Sequence, residues 1–399
     1  MAFISSPKKI RETLFKATPC PSEKLTRPLP VNSEITDWDQ DAFREITSTL
    51  LNAEQMERII SPAQVFPNLD TVVALHWHAE FVPMELIRRR INSTFPNKKR
   101  ELIIPTDHNL LRTYDGEYSG VEVDCYSPEF NRKVQLLIHF KNEKLEHAAA
   151  FRAMLDHTHN YRSSQLFELF DSILDPRWDF RLRDAARATG ADEDLMTFVQ
   201  IIAKKLRTLL FENMDRLPRD QVKNRLLANY CDQLREFYDD RIINRAQYLI
   251  QMVKRVVKRN FNHQYFYETR EIIEEARALG GGIVIAHPEQ FWPVLLADYD
   301  VDGYEVWNPQ SQEYTEFLIN VVARQNKSRS REQRPLLIFL GDDTHMGEKS
   351  KPPEHQNKEK SARQIGVQTA WDDIAITKSL CAANMDRNKL IDEYSSRLG

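Results

Sequence analysis

The 399-residue chain has few cysteines, no long apolar run and no excess of basic charge. Its four cysteines stand far apart without a CxxC pair, which argues against a disulfide framework and against a thiolate zinc site. The first twenty residues lack the apolar core of a signal peptide, and no apolar stretch is long enough to span a bilayer. We therefore expect a protein of a reducing compartment, the cytoplasm, without a membrane partner.

Charge and composition set two further limits. The 55 Lys and Arg residues against 59 Asp and Glu residues leave a net charge of -4, so no global basic field attracts nucleic acid. A hydrophobic content of 41% is enough for a substantial core and excludes wholesale disorder. The length fits one large α/β core with additions.

Seven short apolar runs, rich in Val, Ile and Leu, predict buried strands. Helix-like stretches such as 268–281 lie between several of them, and this alternation is typical of a parallel sheet or barrel. The runs span residues 71–76, 101–108, 120–125, 134–140, 282–288, 302–308 and 335–345.

The rest of the chain is predicted to form additions to this core. Residues 143–267 carry long helical patterns, which we interpret as an insertion between two core parts, 71–142 and 268–346. Residues 1–70 predict an N-terminal extension of loops and helix. Residues 347–399 predict a polar, lysine-rich mobile loop followed by C-terminal helices.

Six of the seven runs end in an imidazole, a carboxylate or a carboxamide, and the run 120–125 carries Glu122 and Asp124 inside it. The carboxyl ends of parallel strands converge on one mouth, where an α/β barrel assembles its active site. Any one of these residues is compatible with an ordinary buried or turn position, but their repetition favours a shared site. The terminal residues are His76, His108, His139, His287, Asn308, and Asp343 with His345.

Paired donors two residues apart predict a metal site. His76 and His78 lie on one face of a strand and can hold one ion together, and Asp343 and His345 repeat the spacing. The donors exceed what one tetrahedral ion needs, so two or three divalent ions (Mn, Zn or Fe) bridged by Glu122 are expected. The predicted metal ligands are His76, His78, His108, Glu122, His139, His287, Asp343 and His345.

In their order along the chain, these motifs resemble the PHP domain family, named for polymerases and histidinol phosphatases. The resemblance covers about residues 71–141 and 268–346. It implies a distorted (β/α)7 TIM-like barrel of PHP type that holds up to three metal ions and hydrolyses phosphate esters. The matching segments are HWH (76–78), PTDH (105–108), GVEVD (120–124), LLIHF (136–140), GGIVIAHPE (281–289) and GDDTH (341–345).

The family pattern also implies how the ligands divide, although the chain departs from it near the first motif. Ala74 and Leu75 stand where an Asp is usual, and the acid or histidine expected about six residues after His78 is missing, so Glu80 or Glu85 is expected to substitute. By the pattern, one ion takes His76, His78, Glu122 and Asp343, a second shares Glu122 with His139 and His287, and a third uses His108 and His345.

The implied chemistry is attack on phosphorus by a metal-bridging hydroxide. Clustered cations neutralise a phosphate ester and lower the pKa of bound water to about 7, so no Ser or Cys nucleophile is required. Acids expected to orient imidazole N–H groups are Asp107, Asp342 and Glu305. The residues to which we assign catalytic roles are Asp107, Asp343 and His345.

The substrate and partners remain open between several hypotheses. Residues 202–260 hold 14 Lys or Arg against seven acids, so the insertion is a candidate surface for a nucleic-acid end, or a solvated face or homo-oligomer contact. A small phosphate ester is the other substrate expectation. Two further alternatives are an amidohydrolase-like metal hydrolase and a non-catalytic metal-binding scaffold whose insertion binds a partner.

Overall fold

The computed structural model describes residues 33–330 and 332–398. The first 32 residues of the predicted N-terminal extension therefore lie outside the described residues. No helix in the described ranges combines the length and the apolar character needed to cross a membrane. The chain forms two compact units, one of residues 33–50 with Arg162–Asn262 and the other of Leu51–Tyr161 with residues 263–398.

Ten strands and fourteen α-helices make up the regular structure of the described residues. The strands are β1 (Thr71–Ala74), β2 (Trp77–His78), β3 (Arg100–Ile103), β4 (Arg112–Tyr114), β5 (Tyr118–Ser127), β6 (Arg132–Lys141), β7 (Gly282–Ile285), β8 (Gly303–Trp307), β9 (Leu337–Leu340) and β10 (Thr344–His345). The helices are α1 (Asp37–Thr47), α2 (Ala53–Ile60), α3 (Met84–Thr94), α4 (Ala149–Leu174), α5 (Asp179–Thr189), α6 (Glu193–Asn213), α7 (Leu226–Gln233), α8 (Asp240–Asn260), α9 (Thr269–Ala278), α10 (Thr315–Ser328), α11 (Met346–Lys349), α12 (Lys358–Ala362), α13 (Ile374–Ala382) and α14 (Arg387–Leu398).

All strands belong to the second unit, and among the described residues they form three sheets rather than a closed barrel. One sheet has the order β4-β5-β6-β7-β8-β9, while β1 pairs with β3 and β2 pairs with β10. The mixed α/β class is confirmed, but β6 runs antiparallel to both β5 and β7, unlike the strands of a parallel barrel. Two contacts connect the edges of these sheets: an isolated β-bridge between His108 and Glu122, and a hydrogen bond from Asp343 N to His76 O.

The core of the second unit explains why the apolar runs become strands. β7 and β9 read GIVI and LIFL, and every residue in both is buried. Strands buried on both faces need covering layers, which α9, α10 and α14 supply by packing on the sheet. The polar residues that follow these strands therefore stand on a rigid, apolar base.

The first unit is helical and has its own apolar core, built from α1, the last part of α4 and α5 to α8. The side chain of Asp39 on α1 is buried and accepts hydrogen bonds from Lys205 Nζ at 2.8 Å and from the Tyr230 hydroxyl. This buried group joins α1 to α6 and α7. Compared with the expected 143–267 insertion, the compact unit spans 162–262 and adds α1 from the N-terminal extension.

The segment after His345 differs from the mobile loop that its composition predicts. It forms α11 and α12, and the Lys349 side chain is buried rather than solvated. Lys349 Nζ donates to the backbone carbonyls of Ser361 and Arg363, the latter at 2.6 Å. A buried ammonium that is hydrogen-bonded in this way costs less to desolvate, and it fixes the course of the backbone towards Arg363.

Candidate metal centre

His76, His78 and His345 meet because two short strands pair in parallel. β2 pairs with β10 so that His78 lies opposite His345, and the two rings stack with centroids 4.4 Å apart. The extended backbone through Trp77 turns His76 and His78 to the same side, with ring centroids 5.4 Å apart. Both of these rings are almost fully buried.

Glu122 lies at the middle of the cluster. The bridge between His108 and Glu122 brings His108 Nδ1 to 2.5 Å from Glu122 Oε2. His78 Nε2 lies 3.6 Å from the same oxygen, while His287 Nε2 lies 3.5 Å from Oε1. The carboxylate thus faces imidazoles through both oxygens, which is the position expected of a shared ligand.

Asp343 closes the cluster with one oxygen. Its Oδ1 lies 3.3 Å from His78 Nε2 and 3.4 Å from His345 Nε2. Its Oδ2 accepts hydrogen bonds from Arg363 and Gln310, each at 2.6 Å. The sequence predicts neither donor. Arg363 and Gln310 stand 20 and 33 positions from Asp343, and nothing in their local sequence links them to it. The second oxygen is therefore held, and Oδ1 is directed at the imidazoles.

The donor set fits divalent metal ions. In the part of the chain that the structure describes, His76 Nε2 and both ring nitrogens of His78 are buried without a hydrogen bond. Carboxylate oxygens lie 3.3 to 4.0 Å from these Nε2 atoms, and ligands of a tetrahedral ion with bonds of about 2.1 Å stand about 3.4 Å apart. Two overlapping groups have donor atoms within 4.8 Å of one another: His76, His78 and Glu122, and His78, His108 and His345.

The pKa values of the two central imidazoles are shifted in opposite directions. Burial acts to lower the pKa of His76, but the neighbouring carboxylates, Glu305 foremost, raise it to about 10. Burial, reinforced by His345 and His108, lowers the pKa of His78 to about 3. His78 is thus a neutral donor at pH 7, whereas His76 must lose a proton before Nε2 can bind an ion.

Metal binding is therefore expected to release a proton. Because the pKa of His76 without metal lies near 10, an ion bound there below that pH displaces at least one proton, and the affinity should rise at least about tenfold per pH unit between pH 6 and 8. Calorimetric titration with Mn²⁺ or Zn²⁺ in buffers of different ionisation enthalpy measures this release. An affinity that stays constant over this pH range would contradict the assignment of His76.

His139 does not join the cluster, and this corrects the expected ligand set. Its Nε2 donates to the carbonyl oxygen of Leu75 at 3.0 Å, so its Nδ1 accepts from the Tyr394 hydroxyl at 2.7 Å. Both nitrogens are thereby engaged, and burial lowers the pKa of the ring to about 3. In the ladder, His139 lies opposite Gly120, near the start of β5, and Gly282, the first residue of β7. His139 therefore lies at the opposite edge of the sheet from His287, which follows β7.

Of the three acids expected to orient imidazoles, Glu305 is the one that does so among the described residues. Its Oε1 lies 2.7 Å from His76 Nδ1, and its Oε2 accepts from the backbone N of His287 at 2.7 Å. Asp342 instead accepts from the backbone N of Gly366. Asp107 bonds to Arg112 and to the backbone of Glu80, and its catalytic role stays a prediction.

The remaining sequence candidates divide between the centre and its surroundings. Glu80 lies beside His345, whereas Glu85 stands exposed on α3 near Arg88. Asn308 is buried, and its Oδ1 accepts from the backbone N of Gln310, the residue whose side chain reaches Asp343. Asn308 therefore shapes the loop that carries Gln310.

Gly341 gives Glu305 the space that it needs. A Cβ atom at Gly341 would stand 1.5 Å from Glu305 Oε1, so Gly341→Ala must displace the carboxylate from His76. We expect a loss of about 1–3 kcal/mol in unfolding free energy from this overpacking, together with weaker metal binding. Urea denaturation of Gly341→Ala, Glu305→Ala and the double variant measures it. The penalty should shrink in the Glu305→Ala background, and strict additivity would show that the contact is not responsible.

The basic residues of 202–260 are more neutralised than their number indicates. Lys205 is buried against Asp39. Arg207, Arg235 and Arg245 form ion pairs with nearby acids. These contacts reduce the positive field of the helical unit, and nucleic-acid binding by this surface stays a prediction.

Comparisons with known proteins do not show a family for this chain. No protein-family model matches the chain, and no curated protein matches it. A solved structure from Bifidobacterium adolescentis, of a protein proposed to be a metal-dependent phosphoesterase, matches 82% of this chain and 98% of its own length. The identity is 16% and the TM-score 0.40. A TM-score this low does not establish a common fold.

Proposed function

We propose that the chain is a metal-dependent phosphoesterase of PHP type. The observation that carries the proposal is the buried group around Glu122, in which imidazole nitrogens and carboxylate oxygens face one another at ligand spacing. Neutral imidazoles and shared carboxylates suit Mn, Zn or Fe. The residues that would hold the ions are His76, His78, His108, Glu122, His287, Asp343 and His345.

The sheet arrangement supports this proposal without closing a barrel. The His108–Glu122 bridge links the segment after β3 to β5, and the β2–β10 pair links the segments after β1 and β9. These two links between the sheets support the proposal of a distorted barrel of PHP type. Four of the ligands, His76, His108, His287 and Asp343, follow the ends of separate strands, as at a barrel mouth, whereas Glu122 lies inside β5.

The contacts of the centre indicate the role that its residues would have. Bound divalent ions would supply Lewis acidity and positive charge that offset the negative charge of a phosphate ester. Glu305 holds the Nδ1 proton of His76, and Arg363 and Gln310 keep Asp343 turned to the imidazoles. His76, His78 and Glu122 are 1% exposed, whereas His108 is 33% exposed. Substrate would therefore approach from the side of His108.

Hydrolysis assays test the proposal. With Mn²⁺ or Zn²⁺ present, the purified protein should release p-nitrophenol from p-nitrophenyl phosphate or its diester, and His76→Ala should lower the rate by about 10²-fold or more because a buried ligand is lost. His147→Ala, at an exposed histidine outside the cluster, serves as the matched control and should leave the rate unchanged. Single-stranded DNA, duplex DNA and mononucleotides distinguish the substrate classes.

The same assays separate the alternatives. Metal binding with no hydrolysis of monoesters, diesters or nucleic acids would favour a non-catalytic scaffold. Hydrolysis of amides or carboxylic esters in place of phosphates would favour an amidohydrolase-like enzyme. Equal rates in wild type and His76→Ala would reject the centre as the site of reaction.

A further inference from the structure

Glu80 has a backbone conformation that its residue type rarely adopts. Its φ is +54°, in the left-handed region, which is uncommon for residues other than glycine. Hydrogen bonds on both sides hold it there: its N donates to Asp107 Oδ1 at 3.0 Å, and its carbonyl accepts from Arg112 at 3.2 Å. Arg112 also donates to Asp107 at 2.8 Å. A strained residue that its neighbours fix from two sides is a candidate for a functional role.

The same network aims the Glu80 side chain at His345. Glu80 Oε2 accepts from the backbone N of Gly347 at 2.8 Å, and Glu80 Oε1 lies 3.4 Å from His345 Nδ1. A Cβ atom at Gly347 would stand 2.2 Å from Oε2, so a glycine at 347 permits this approach. The carboxylate is therefore anchored through one oxygen and faces the imidazole with the other.

This arrangement repeats the one at His76. There, Glu305 faces Nδ1 while Nε2 faces the cluster. At His345, Glu80 faces Nδ1 while Nε2 lies 3.4 Å from Asp343 Oδ1. A carboxylate on the far nitrogen of a ligating imidazole fixes its tautomer and raises its basicity.

We propose that Glu80 is the positioning residue of His345, holding the Nδ1 proton so that Nε2 is the metal-binding atom of the His78, His108 and His345 group. The proposal rests on the metal centre proposed above and replaces the expectation that Glu80 substitutes as a metal ligand. That group consists of three imidazoles, so the carboxylate also places a negative charge just behind it. Orientation and charge both act to strengthen ion binding.

Two variants of Glu80 test this role. We expect Glu80→Gln and Glu80→Gly to weaken Zn²⁺ binding by about 10- to 100-fold, the usual cost of losing such a partner, with the number of bound ions unchanged. Because glycine adopts positive φ without strain, Glu80→Gly should melt within a few degrees of wild type in the absence of metal. Equilibrium dialysis with elemental analysis and thermal melting of the metal-free proteins measure the three quantities. Glu85→Gln, at the exposed carboxylate on α3, is the matched control.

The outcomes are distinct. Loss of one bound ion in the Glu80 variants would make Glu80 a ligand and overturn the proposal. Unchanged Zn²⁺ affinity in Glu80→Gln would also overturn it, even if Glu80→Gly failed to fold. If wild type itself bound no ion, the metal centre would fall as well, whereas wild-type binding that the variants share would remove the role of Glu80 alone.

Discussion

Glu122→Gln is expected to abolish tight metal binding and to slow phosphate-ester hydrolysis by at least about 10³-fold, equivalent to about 4 kcal/mol in the barrier. Glu122 is buried at the centre, and its two oxygens face His78, His108 and His287. Glutamine keeps the size of the side chain but removes the negative charge that two neighbouring cations would share. Titration with Mn²⁺ and the p-nitrophenyl assays measure both losses.

Glu117→Gln is the matched control for this change. Glu117 is exposed and precedes the same strand, so its amide variant should retain wild-type metal affinity and rate. Circular dichroism should show that Glu122→Gln remains folded, because the substitution is nearly isosteric. A Glu122→Gln protein that binds ions as tightly as wild type would reject Glu122 as a shared ligand.

Much of this centre could be predicted because the ends of buried strands are visible in a sequence. Short apolar runs end where the chain leaves the core. A polar side chain at such a position therefore lies at the sheet edge. His76, His287 and Asp343 follow β1, β7 and β9 in this manner, and the structure brings them together around Glu122. The apolar pattern therefore predicts where these three donors lie in the fold.

His139 shows where this reasoning failed. An apolar run predicts a strand but not its direction, and β6 runs antiparallel to β5 and β7. Reversing a strand moves its carboxyl end to the opposite edge of the sheet, so the same pattern leaves His139 and His287 at opposite edges. The hairpin connection of four residues between β5 and β6 was the available signal, because parallel neighbours need a long crossover.

The residues that position the ligands could largely not be predicted from the sequence, for a different reason. Arg363 reaches Asp343 because the backbone between α12 and the C-terminal helices is fixed by Lys349, a contact that depends on tertiary packing. Composition gave the opposite indication, since a lysine-rich, proline-containing segment usually stays solvated. Local sequence reports periodicity and turns, whereas such long-range polar contacts follow only from the assembled core.

Lys205→Ala is expected to destabilise the helical unit by about 3–5 kcal/mol, because it leaves the Asp39 carboxylate buried without its cation. Lys205 and Asp39 are 2% and 1% exposed, and their contact measures 2.8 Å. The Tyr230 hydroxyl also donates to Asp39, but a neutral donor does not balance the charge. Urea denaturation followed by far-ultraviolet circular dichroism measures the loss.

Lys204→Ala provides the comparison, since this neighbouring lysine is exposed and its removal should change stability by no more than about 0.5 kcal/mol. The double variant Lys205→Met with Asp39→Asn should recover much of the loss, because breaking a buried ion pair costs more than replacing both charges. Asparagine at 39 also keeps an oxygen for the Tyr230 hydroxyl. If Lys205→Ala were no more damaging than Lys204→Ala, the buried pair would contribute nothing to the unit, and the attachment of α1 would depend on apolar packing alone.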